Sequence, residues 1–212
     1  MVDAGRDKSL ATLAVVVPVK DEAENVLPLI EEIAAALEGV CVYEIVYVDD
    51  GSADGTPDRL LNAKTKFPNL RIVRHDGCFG QSQAIQTGVR HAGAPLIATL
   101  DGDGQNDPAD IPALLERFNT EGGSADARLM IAGWRAKRKD TWLKRVSSKV
   151  ANAVRGSMLG DAMPDTGCGL KVFPRDMFMS FPGFNHMHRF MPALTIRAGG
   201  RVVSVQVNHR SR

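Results

Sequence analysis

The sequence predicts an α/β fold with a mostly parallel central sheet and helices on both faces. Short apolar runs that are typical of buried strands alternate with amphipathic runs over the first 120 residues. This alternation favours parallel strands joined by helical crossovers. Turn-forming and helix-capping residues separate the runs. Acidic motifs follow three of the predicted strands, at the edge where parallel sheets of this class bind their ligands.

The predicted elements follow one another without an internal repeat or a low-complexity linker. The first strand is the β-branched run Leu13–Val19, which resembles a buried parallel strand. A helix opens at Asp21-Glu22 and ends before Gly39, with its apolar residues on one face. Thr56 is the predicted N-cap of the next helix, with Pro57 at the first helical position. The remaining predictions are strands at Tyr43–Val48, Leu70–Arg74 and Pro95–Leu100, and helices at Ser82–Ala92 and Asp107–Phe118.

Length and composition favour one soluble domain. The chain has 212 residues, of which 44% are hydrophobic and 24% charged, as is usual for globular proteins. We expect residues 1–12 to form an N-terminal tail and residues 13–212 a single domain. The net charge of +1 gives no argument for a nucleic-acid partner. Three cysteines at unrelated spacings predict neither a zinc site nor disulfides and favour a reducing compartment.

Two further expectations concern membranes. The polar start of the chain is unlike a signal peptide, and its longest apolar run, Leu10–Val19, is about half the length that spans a bilayer. Residues 130–160 form a predicted basic amphipathic segment. Between positions 135 and 155 it carries eight basic side chains against one acidic, a local net charge of +7. Either it is the solvated face of a core-packed helix, or it binds the phosphates of a nucleotide or an anionic lipid.

The most informative motif is the turn after the fourth predicted strand. Asp101 and Asp103 lie one residue apart, and Gly102 and Gly104 allow the backbone to turn tightly there. Closely spaced carboxylates on such a turn suit Mg²⁺ or Mn²⁺, which fill their remaining positions with water and substrate phosphates. Alone, the motif would also fit an ordinary surface turn before a helix.

The ordered set of motifs resembles the family-2 glycosyltransferases. Val15-Val16-Val17-Pro18 with Asp21-Glu22 comes first, then Val48-Asp49-Asp50-Gly51-Ser52, then Asp101-Gly102-Asp103. The closest likeness is to the polyprenyl-phosphate sugar transferases, of which dolichyl-phosphate mannosyltransferase is the familiar member. Motifs of that branch are Gly104-Gln105-Asn106-Asp107-Pro108, Gly133-Trp134-Arg135, Asp165-Thr166-Gly167-Cys168-Gly169-Leu170-Lys171, Met187-His188-Arg189-Phe190 and Val207-Asn208-His209-Arg210. The resemblance runs from about Leu13 to the last residue.

The resemblance implies the GT-A fold and a metal-dependent, inverting sugar transfer. The donor would be GDP-mannose or a UDP-sugar, the acceptor a polyprenyl or dolichyl phosphate, and the cofactor Mg²⁺ or Mn²⁺. The enzyme would work as a peripheral protein at the inner, cytoplasmic face of the cytoplasmic membrane. Transfer to a lipid phosphate needs no general base, because the attacking oxygen is already anionic. It needs cations that hold the phosphate instead.

The resemblance also assigns site residues. The implied nucleotide-sugar contacts are Pro18, Asp21, Glu22, Asp49, Asp50, Gly102 and Arg212. The implied metal ligands are Asp101, Asp103 and Gln105. The implied catalytic residues are Asp101, Asp103 and Arg135, and the implied acceptor or phosphate contacts are Arg145, His188 and Arg189.

Several alternatives stay open at this level. Asp21 is also a plausible helix cap, and Asp165 either orders the Gly167-Cys168-Gly169 turn or serves as a base for a hydroxyl acceptor. His186 and His188 have the spacing of metal ligands on a strand, although no third ligand is evident. The protein as a whole would otherwise be a family-2 enzyme acting on a saccharide hydroxyl, or a nucleotide-sugar-binding domain without turnover.

The chain departs from the family pattern at two places. Cys78 stands where a small polar residue is usual, and we do not expect it to abolish binding. After Arg210 the family continues through a proline and an arginine into a Gly-x-Ser-Lys loop that covers the diphosphate. Here Ser211 and Arg212 follow, and we expect that loop and any membrane helices to be absent.

Overall fold

The protein folds around a seven-stranded sheet, as given by a computed structural model that describes residues 12–135 and 165–210. The strands are β1 Leu13–Val19, β2 Tyr43–Asp49, β3 Leu70–Arg74, β4 Leu96–Thr99, β5 Leu129–Arg135, β6 Lys171–Pro174 and β7 Arg201–Val207. Their order in the sheet is β3-β2-β1-β4-β6-β5-β7. β1 pairs in parallel with β2 and β4, β2 with β3, and β5 with β7, whereas β6 is antiparallel to both β4 and β5.

Helices cover both faces of this sheet. They are α1 Ala23–Leu37, α2 Thr56–Lys66, α3 Gln81–His91, α4 Ile111–Thr120, α5 Arg175–Met179 and α6 Met191–Arg197. Two 3₁₀ turns, Pro108–Asp110 and Met187–Arg189, precede α4 and α6. One apolar cluster joins the α1 face of the sheet to α4, and a second joins the other face to α3 and α6.

The apolar periodicity of the sequence explains the packing of the parallel half. Every residue of β1 is buried, because helices cover both sides of this central strand. α1 buries Leu29, Ile30, Ile33 and Leu37 on one face, as predicted. On the opposite side α3 lies so close to β1 that a Cβ at Gly88 would be 2.4 Å from Val16 Cγ1. The parallel strands therefore present their carboxyl ends at one well-defined edge.

Four strands and four helices lie within a few residues of their predicted positions, and the mostly parallel sheet is confirmed. The predicted cap at Thr56 is wrong: Gly55 is the N-cap, and Thr56 is the first helical residue. The Thr56 hydroxyl accepts a hydrogen bond from the Glu22 N–H at 3.0 Å, while Asp54 accepts from the Thr56 N–H at 2.9 Å. The Asp54 side chain therefore accepts a backbone N–H at the start of α2, and the Thr56 hydroxyl instead ties α2 to the start of α1.

Several sequence-based expectations fall outside the described residues. They concern the N-terminal tail up to residue 11, the basic segment from 136 to 160, and the side chains of Arg145 and Arg212. In residues 12–135 and 165–210, none of the helices combines the length and apolarity needed to cross a bilayer.

Candidate active site

The turn that follows β4 is held in shape by its own polar groups. Asn106 is almost fully buried, and its side-chain oxygen accepts a hydrogen bond from the Asp101 N–H at 3.2 Å. The Gln105 N–H donates to Asp103 Oδ1 at 3.1 Å. From the end of the described chain, the Arg210 N–H donates to the Gln105 carbonyl at 2.9 Å. The two carboxylates are thus presented on a preorganised loop.

Two glycines explain how closely this turn can pack. A Cβ at Gly102 would lie 2.7 Å from the Pro18 carbonyl oxygen, so only glycine lets the turn lie against the end of β1. A Cβ at Gly169 would lie 2.3 Å from both Cγ and Oδ2 of Asp101. The Gly169 backbone therefore supports the Asp101 carboxylate directly, and Thr99 fixes that backbone by donating to the Gly169 carbonyl at 2.7 Å.

Two cavities meet at this turn. The Lys171 cavity, of about 500 Å³, is lined among others by Asp101, Arg135, Asp165, Lys171, His188 and Arg189. The Pro18 cavity, of about 410 Å³, is lined among others by Pro18, Glu22, Asp50, Gly102 and Asp103. Asp101 and Gln81 line both cavities. A ligand that extends from one cavity into the other would therefore pass the Asp101 carboxylate.

Burial and the Lys171 charge shift the pKa of the Asp101 carboxyl in opposite directions. Burial raises the pKa of its carboxyl above the ordinary value; the Lys171 ammonium opposes this shift, and the charge of Asp103 adds to it. Gln81 Nε2 donates to Asp101 Oδ1 at 2.7 Å. Lys171 itself is buried, which lowers the pKa of its ammonium, and it donates a hydrogen bond to the Cys168 carbonyl. A buried cation next to a half-buried carboxylate is typical of a functional cleft.

The donor set of the turn fits a hard divalent cation. Gln81 occupies Oδ1 of Asp101, and the Gln105 N–H occupies Oδ1 of Asp103. The Oδ2 atom of each carboxylate has no hydrogen-bond partner within the part of the chain described. No group of three or more His, Cys, Asp or Glu side chains is arranged to hold a metal ion in that part. The protein would thus supply the carboxylates of Asp101 and Asp103 together with Gln105, and a ligand's phosphates would complete the coordination.

Asp50 lines the Pro18 cavity, but its carboxylate is already well occupied. Its oxygens accept hydrogen bonds from the N–H groups of Phe79 at 2.9 Å and Gly80 at 2.7 Å, and from His75 Nδ1 at 2.8 Å. Although burial opposes the shift, the hydrogen bonds from His75, Phe79 and Gly80 lower the pKa of Asp50. In this structure Asp50 holds the loop before α3, and that loop forms one wall of the cavity.

The other acidic residues predicted to bind the nucleotide differ in their placement. Asp21, at φ +52°, accepts from the Ala53 N–H at 2.8 Å, so it ties two turns together and is not the helix cap. Asp49 is fully buried and accepts from the Ser52 N–H at 2.9 Å. The Arg74 guanidinium lies 3.3 Å from Asp49 Oδ2, near enough for charge attraction but without hydrogen-bond geometry. Glu22 lines the Pro18 cavity.

Arg135 and Asp165 form a buried, two-pronged ion pair on the wall of the Lys171 cavity. Arg135 Nε lies 2.7 Å from Asp165 Oδ2, and one Nη lies 3.1 Å from Oδ1. Asp165 also accepts from the Gly167 N–H at 3.1 Å. The predicted role of Asp165 in ordering the Gly167 turn is therefore visible in the structure. Its hydrogen bonds to Arg135 raise the pKa of the guanidinium, which stays a cation.

His188 and Arg189 line the same cavity from the 3₁₀ turn before α6. Arg189 is exposed and makes no ion pair with any residue in the two described ranges. His188 Nδ1 lies 2.7 Å from the Ser82 hydroxyl. His188 lies on this 3₁₀ turn and His186 is its N-cap, so neither is on a strand, and their ring centroids are 6.3 Å apart. Among the described residues, no third His, Cys, Asp or Glu joins them in a group that could hold a metal ion.

Comparison with known protein families identifies the chain. The model of the family described as "Glycosyl transferase family 2" matches residues 14–181. The chain belongs to glycosyltransferase family 2. The matched region contains nearly all of β1, strands β2 to β6, the acidic residues of both cavities and the Arg135–Asp165 pair, whereas His188 and Arg189 lie beyond it.

Curated relatives of this family-2 chain act on lipid phosphates. The dodecaprenyl-phosphate galacturonate synthase of Rhizobium johnstonii is 37% identical over 94% of this chain and 59% of its own length. The undecaprenyl-phosphate 4-deoxy-4-formamido-L-arabinose transferase of Edwardsiella ictaluri is 31% identical over 97% of this chain and 62% of its own length. The chain thus spans about three fifths of these relatives, and the predicted resemblance to polyprenyl-phosphate sugar transferases is confirmed.

Solved structures confirm the GT-A fold. Glucosyl-3-phosphoglycerate synthase of Mycobacterium tuberculosis, in complex with Mg²⁺ and uridine diphosphate, superimposes with a TM-score of 0.70 at 17% identity. The match covers 95% of this chain and 72% of that protein. A complex of the same synthase with Mn²⁺ and UDP-glucose gives a TM-score of 0.68. At this identity the likeness shows the fold of the family-2 domain.

Three residues of the candidate site were not predicted as site residues. Gln81 bonds Asp101, Ser82 bonds His188, and Lys171 lies buried beside Asp101. Gln81 and Ser82 follow the loop that ends at Gly80, and Lys171 ends a motif that resembles the family. Their positions in these motifs could have marked them as candidates. The partner of each side chain could not be predicted, because the contacts join residues 20 to 106 positions apart in the sequence.

Proposed function

We propose that this chain transfers a sugar from a nucleoside diphosphate to a polyprenyl phosphate. The observation that carries the proposal is the position of Asp101, which lines both the Pro18 cavity and the Lys171 cavity. The names of the two curated relatives agree with it, because both are enzymes of polyprenyl-phosphate substrates. The nucleotide would lie in the Pro18 cavity, and the acceptor phosphate would enter the Lys171 cavity.

On the donor side, the Pro18 cavity would hold the base and ribose. Pro18 and Glu22 line it, and Asp50 shapes its wall. The diphosphate would then lie at Asp101 and Asp103, which with Gln105 would hold Mg²⁺ or Mn²⁺. When bound, the cation would supply charge stabilisation for the departing nucleoside diphosphate.

On the acceptor side, the Lys171 cavity would hold the lipid phosphate. Three cations line it, namely Arg135, Lys171 and Arg189. An anionic phosphate oxygen would attack the anomeric carbon of the sugar. A new carbon–oxygen bond forms there as the bond to the diphosphate breaks, and the electron pair leaves with the nucleoside diphosphate. Attack from the opposite side inverts the configuration at that carbon.

The placement of Asp165 favours this acceptor over a sugar hydroxyl. A hydroxyl acceptor needs a general base to remove its proton. Asp165 was the predicted candidate, but both of its oxygens accept hydrogen bonds from Arg135. A carboxylate in a tight ion pair is a weak base, because the pair stabilises its ionised form. An anionic acceptor needs no such base.

The assignments outside the described residues belong to the same proposal. Arg145 would add to the cations that hold the lipid phosphate, and Arg212 would contact the nucleotide sugar. The basic segment would bring residues 13–212, as one catalytic domain, to the inner face of the cytoplasmic membrane. Its net charge of +7 suits an anionic lipid surface.

A transfer assay with the full chain tests the proposal. The protein would be incubated with a polyprenyl phosphate in detergent micelles, Mn²⁺ or Mg²⁺, and separately with GDP-mannose, UDP-glucose, UDP-N-acetylglucosamine and a nucleotide-activated galacturonate. Mass spectrometry would detect the lipid product. We expect one donor to give a glycosylated lipid phosphate, and Asp103→Ala to abolish the transfer. Asp126→Ala, an exposed position before β5, is the matched control.

Other outcomes would overturn the proposal. Product on free saccharides with none on the lipid phosphate would indicate a hydroxyl acceptor, and Asp165→Asn should then stop the reaction. Metal-dependent nucleotide binding without turnover on any acceptor would indicate a binding domain. Full activity of Asp103→Ala would contradict the assigned metal site.

A further inference from the structure

Ser82 and His188 form a contact that the proposed reaction has not used. Ser82 lies in the first turn of α3 and is 95% buried, with a relative exposure of 5%. Its Oγ lies 2.7 Å from His188 Nδ1, and it accepts a hydrogen bond from the His188 backbone N–H at 3.3 Å. The preceding residue, Gln81, bonds the Asp101 carboxylate. One helix turn therefore contacts both the acidic turn and the His188 ring.

The hydrogen count of this pair determines the tautomer of His188. A serine hydroxyl has one hydrogen to donate and two lone pairs to accept with. If it donates to Nδ1 while accepting from the backbone N–H, the hydroxyl, Nδ1 and the His188 backbone N–H are all satisfied. If Nδ1 carried the hydrogen instead, the buried hydroxyl hydrogen would have no acceptor in the described ranges, which is costly. The hydrogen of the ring therefore lies on Nε2.

The ring is also neutral near pH 7. Burial is the main cause, and the nearby charges of Lys171, Arg189 and His186 act in the same direction; together they lower the pKa of His188 to about 4. Nε2 lies on the edge of the ring opposite Nδ1 and has no partner among the residues described. His188 lines the Lys171 cavity. A neutral imidazole with a hydrogen on Nε2 is a directed hydrogen-bond donor for an anionic oxygen.

We propose that Ser82 is a positioning residue that fixes His188 as the Nε2–H tautomer, so that His188 donates to a phosphate oxygen in the Lys171 cavity. The phosphate belongs either to the nucleoside diphosphate or to the lipid, and this part rests on the proposed function. The tautomer itself does not, because Ser82 sets it before any ligand binds. Ser82 touches no reacting atom in this scheme.

Nitrogen NMR of the full chain labelled with ¹⁵N-histidine tests the tautomer without any ligand. The signals of His188 would be assigned by their loss in His188→Gln. We expect the wild type to show an unprotonated Nδ1 and a protonated Nε2 at pH 7. Ser82→Ala should give a mixture of tautomers, and Ser82→Thr, which keeps the hydroxyl, should restore the single form. A protonated Nδ1 in the wild type, or an unchanged spectrum in Ser82→Ala, would overturn the inference.

Two titrations then identify the phosphate. UDP or GDP with Mg²⁺ is added in one, and a short polyprenyl phosphate in micelles in the other. We expect the Nε2 signal to shift in one of them, and Ser82→Ala to weaken that ligand about tenfold, as for loss of a hydrogen bond to a charged group. Binding of both ligands with no shift of Nε2 would refute the donor role of His188. Failure of the transfer assay with the predicted tautomer present would instead count against the proposed function alone.

Discussion

Replacing Gly169 with alanine would test whether the backbone behind Asp101 positions a carboxylate that we propose to bind the metal. The added Cβ would lie 2.3 Å from Asp101 Cγ and Oδ2 and 2.5 Å from Oδ1. Non-bonded carbon atoms normally approach no closer than about 3.5 Å. The carboxylate would therefore have to move by about 1 Å, away from Gly169 and out of its contact with Gln81.

The size of the effect follows from that displacement. Mg²⁺ holds its oxygen ligands at about 2.1 Å and demands near-ideal geometry. A carboxylate displaced by about 1 Å would leave the coordination sphere or enter it with strain. Losing such support costs about 10- to 100-fold in metal affinity, which corresponds to about 1.4 to 2.8 kcal/mol. We expect Gly169→Ala to weaken cation binding by that factor.

Electron paramagnetic resonance of free Mn²⁺, titrated into protein with a nucleoside diphosphate, measures this affinity without turnover. Gly55→Ala is the matched control, because its Cβ would make only an ordinary 3.7 Å contact with Ala23. Circular dichroism would show that both variants are folded. Wild-type affinity in a folded Gly169→Ala protein would refute the role given to Asp101 and to the backbone behind it.

Three further outcomes are expected. Asp165→Asn breaks the buried pair with Arg135 and should lower the free energy of unfolding by about 3 kcal/mol in urea titrations, whereas a role only as a base would leave it unchanged. His188 binds a proton below about pH 6.5 when unfolded but only below about 4 when folded. Wild-type stability should thus fall as pH drops through this window, by about 1–2 kcal/mol after allowance for solvent screening, and His188→Gln should lack this part of the decrease. Asp50→Asn cannot accept the hydrogen bonds of both Phe79 and Gly80, so hydrogen exchange at these two amides should become faster. Unchanged protection would contradict the role of Asp50 in holding the loop before α3.

The parallel half of the fold could be predicted because its signals are local. β1 to β4 and their helices are marked by apolar runs, glycines and prolines within each segment. The second half could not be predicted in this way. β6 inserts between β4 and β5 in antiparallel orientation, and β7 then pairs with β5. Those pairings depend on contacts between residues far apart in sequence, which periodicity does not encode.

The candidate site shows the same division. The acidic turn at Asp101 and Asp103 could be predicted from spacing and from its place after a strand. The hydrogen bonds that occupy the Asp50 carboxylate could not be predicted, because the donors at Phe79 and Gly80 come from a loop about 30 residues later. Lys171 likewise lies near enough to influence the pKa of Asp101 because β6 pairs with β4, which sets Lys171 opposite Thr99. Motifs therefore pointed to the candidate site, and non-local pairing determined which side chains meet there.

The claim at the centre of the proposed mechanism is that the donor's diphosphate binds together with a divalent cation at Asp101 and Asp103. Thermal unfolding of the full chain, with each nucleotide sugar and Mn²⁺ alone and in combination, tests it most directly. We predict that one nucleotide sugar stabilises the protein only when Mn²⁺ is present, by about 2.7 kcal/mol at a hundred times its Kd, and that Asp103→Asn abolishes this gain. Equal stabilisation without the cation, or in Asp103→Asn, would contradict the claim.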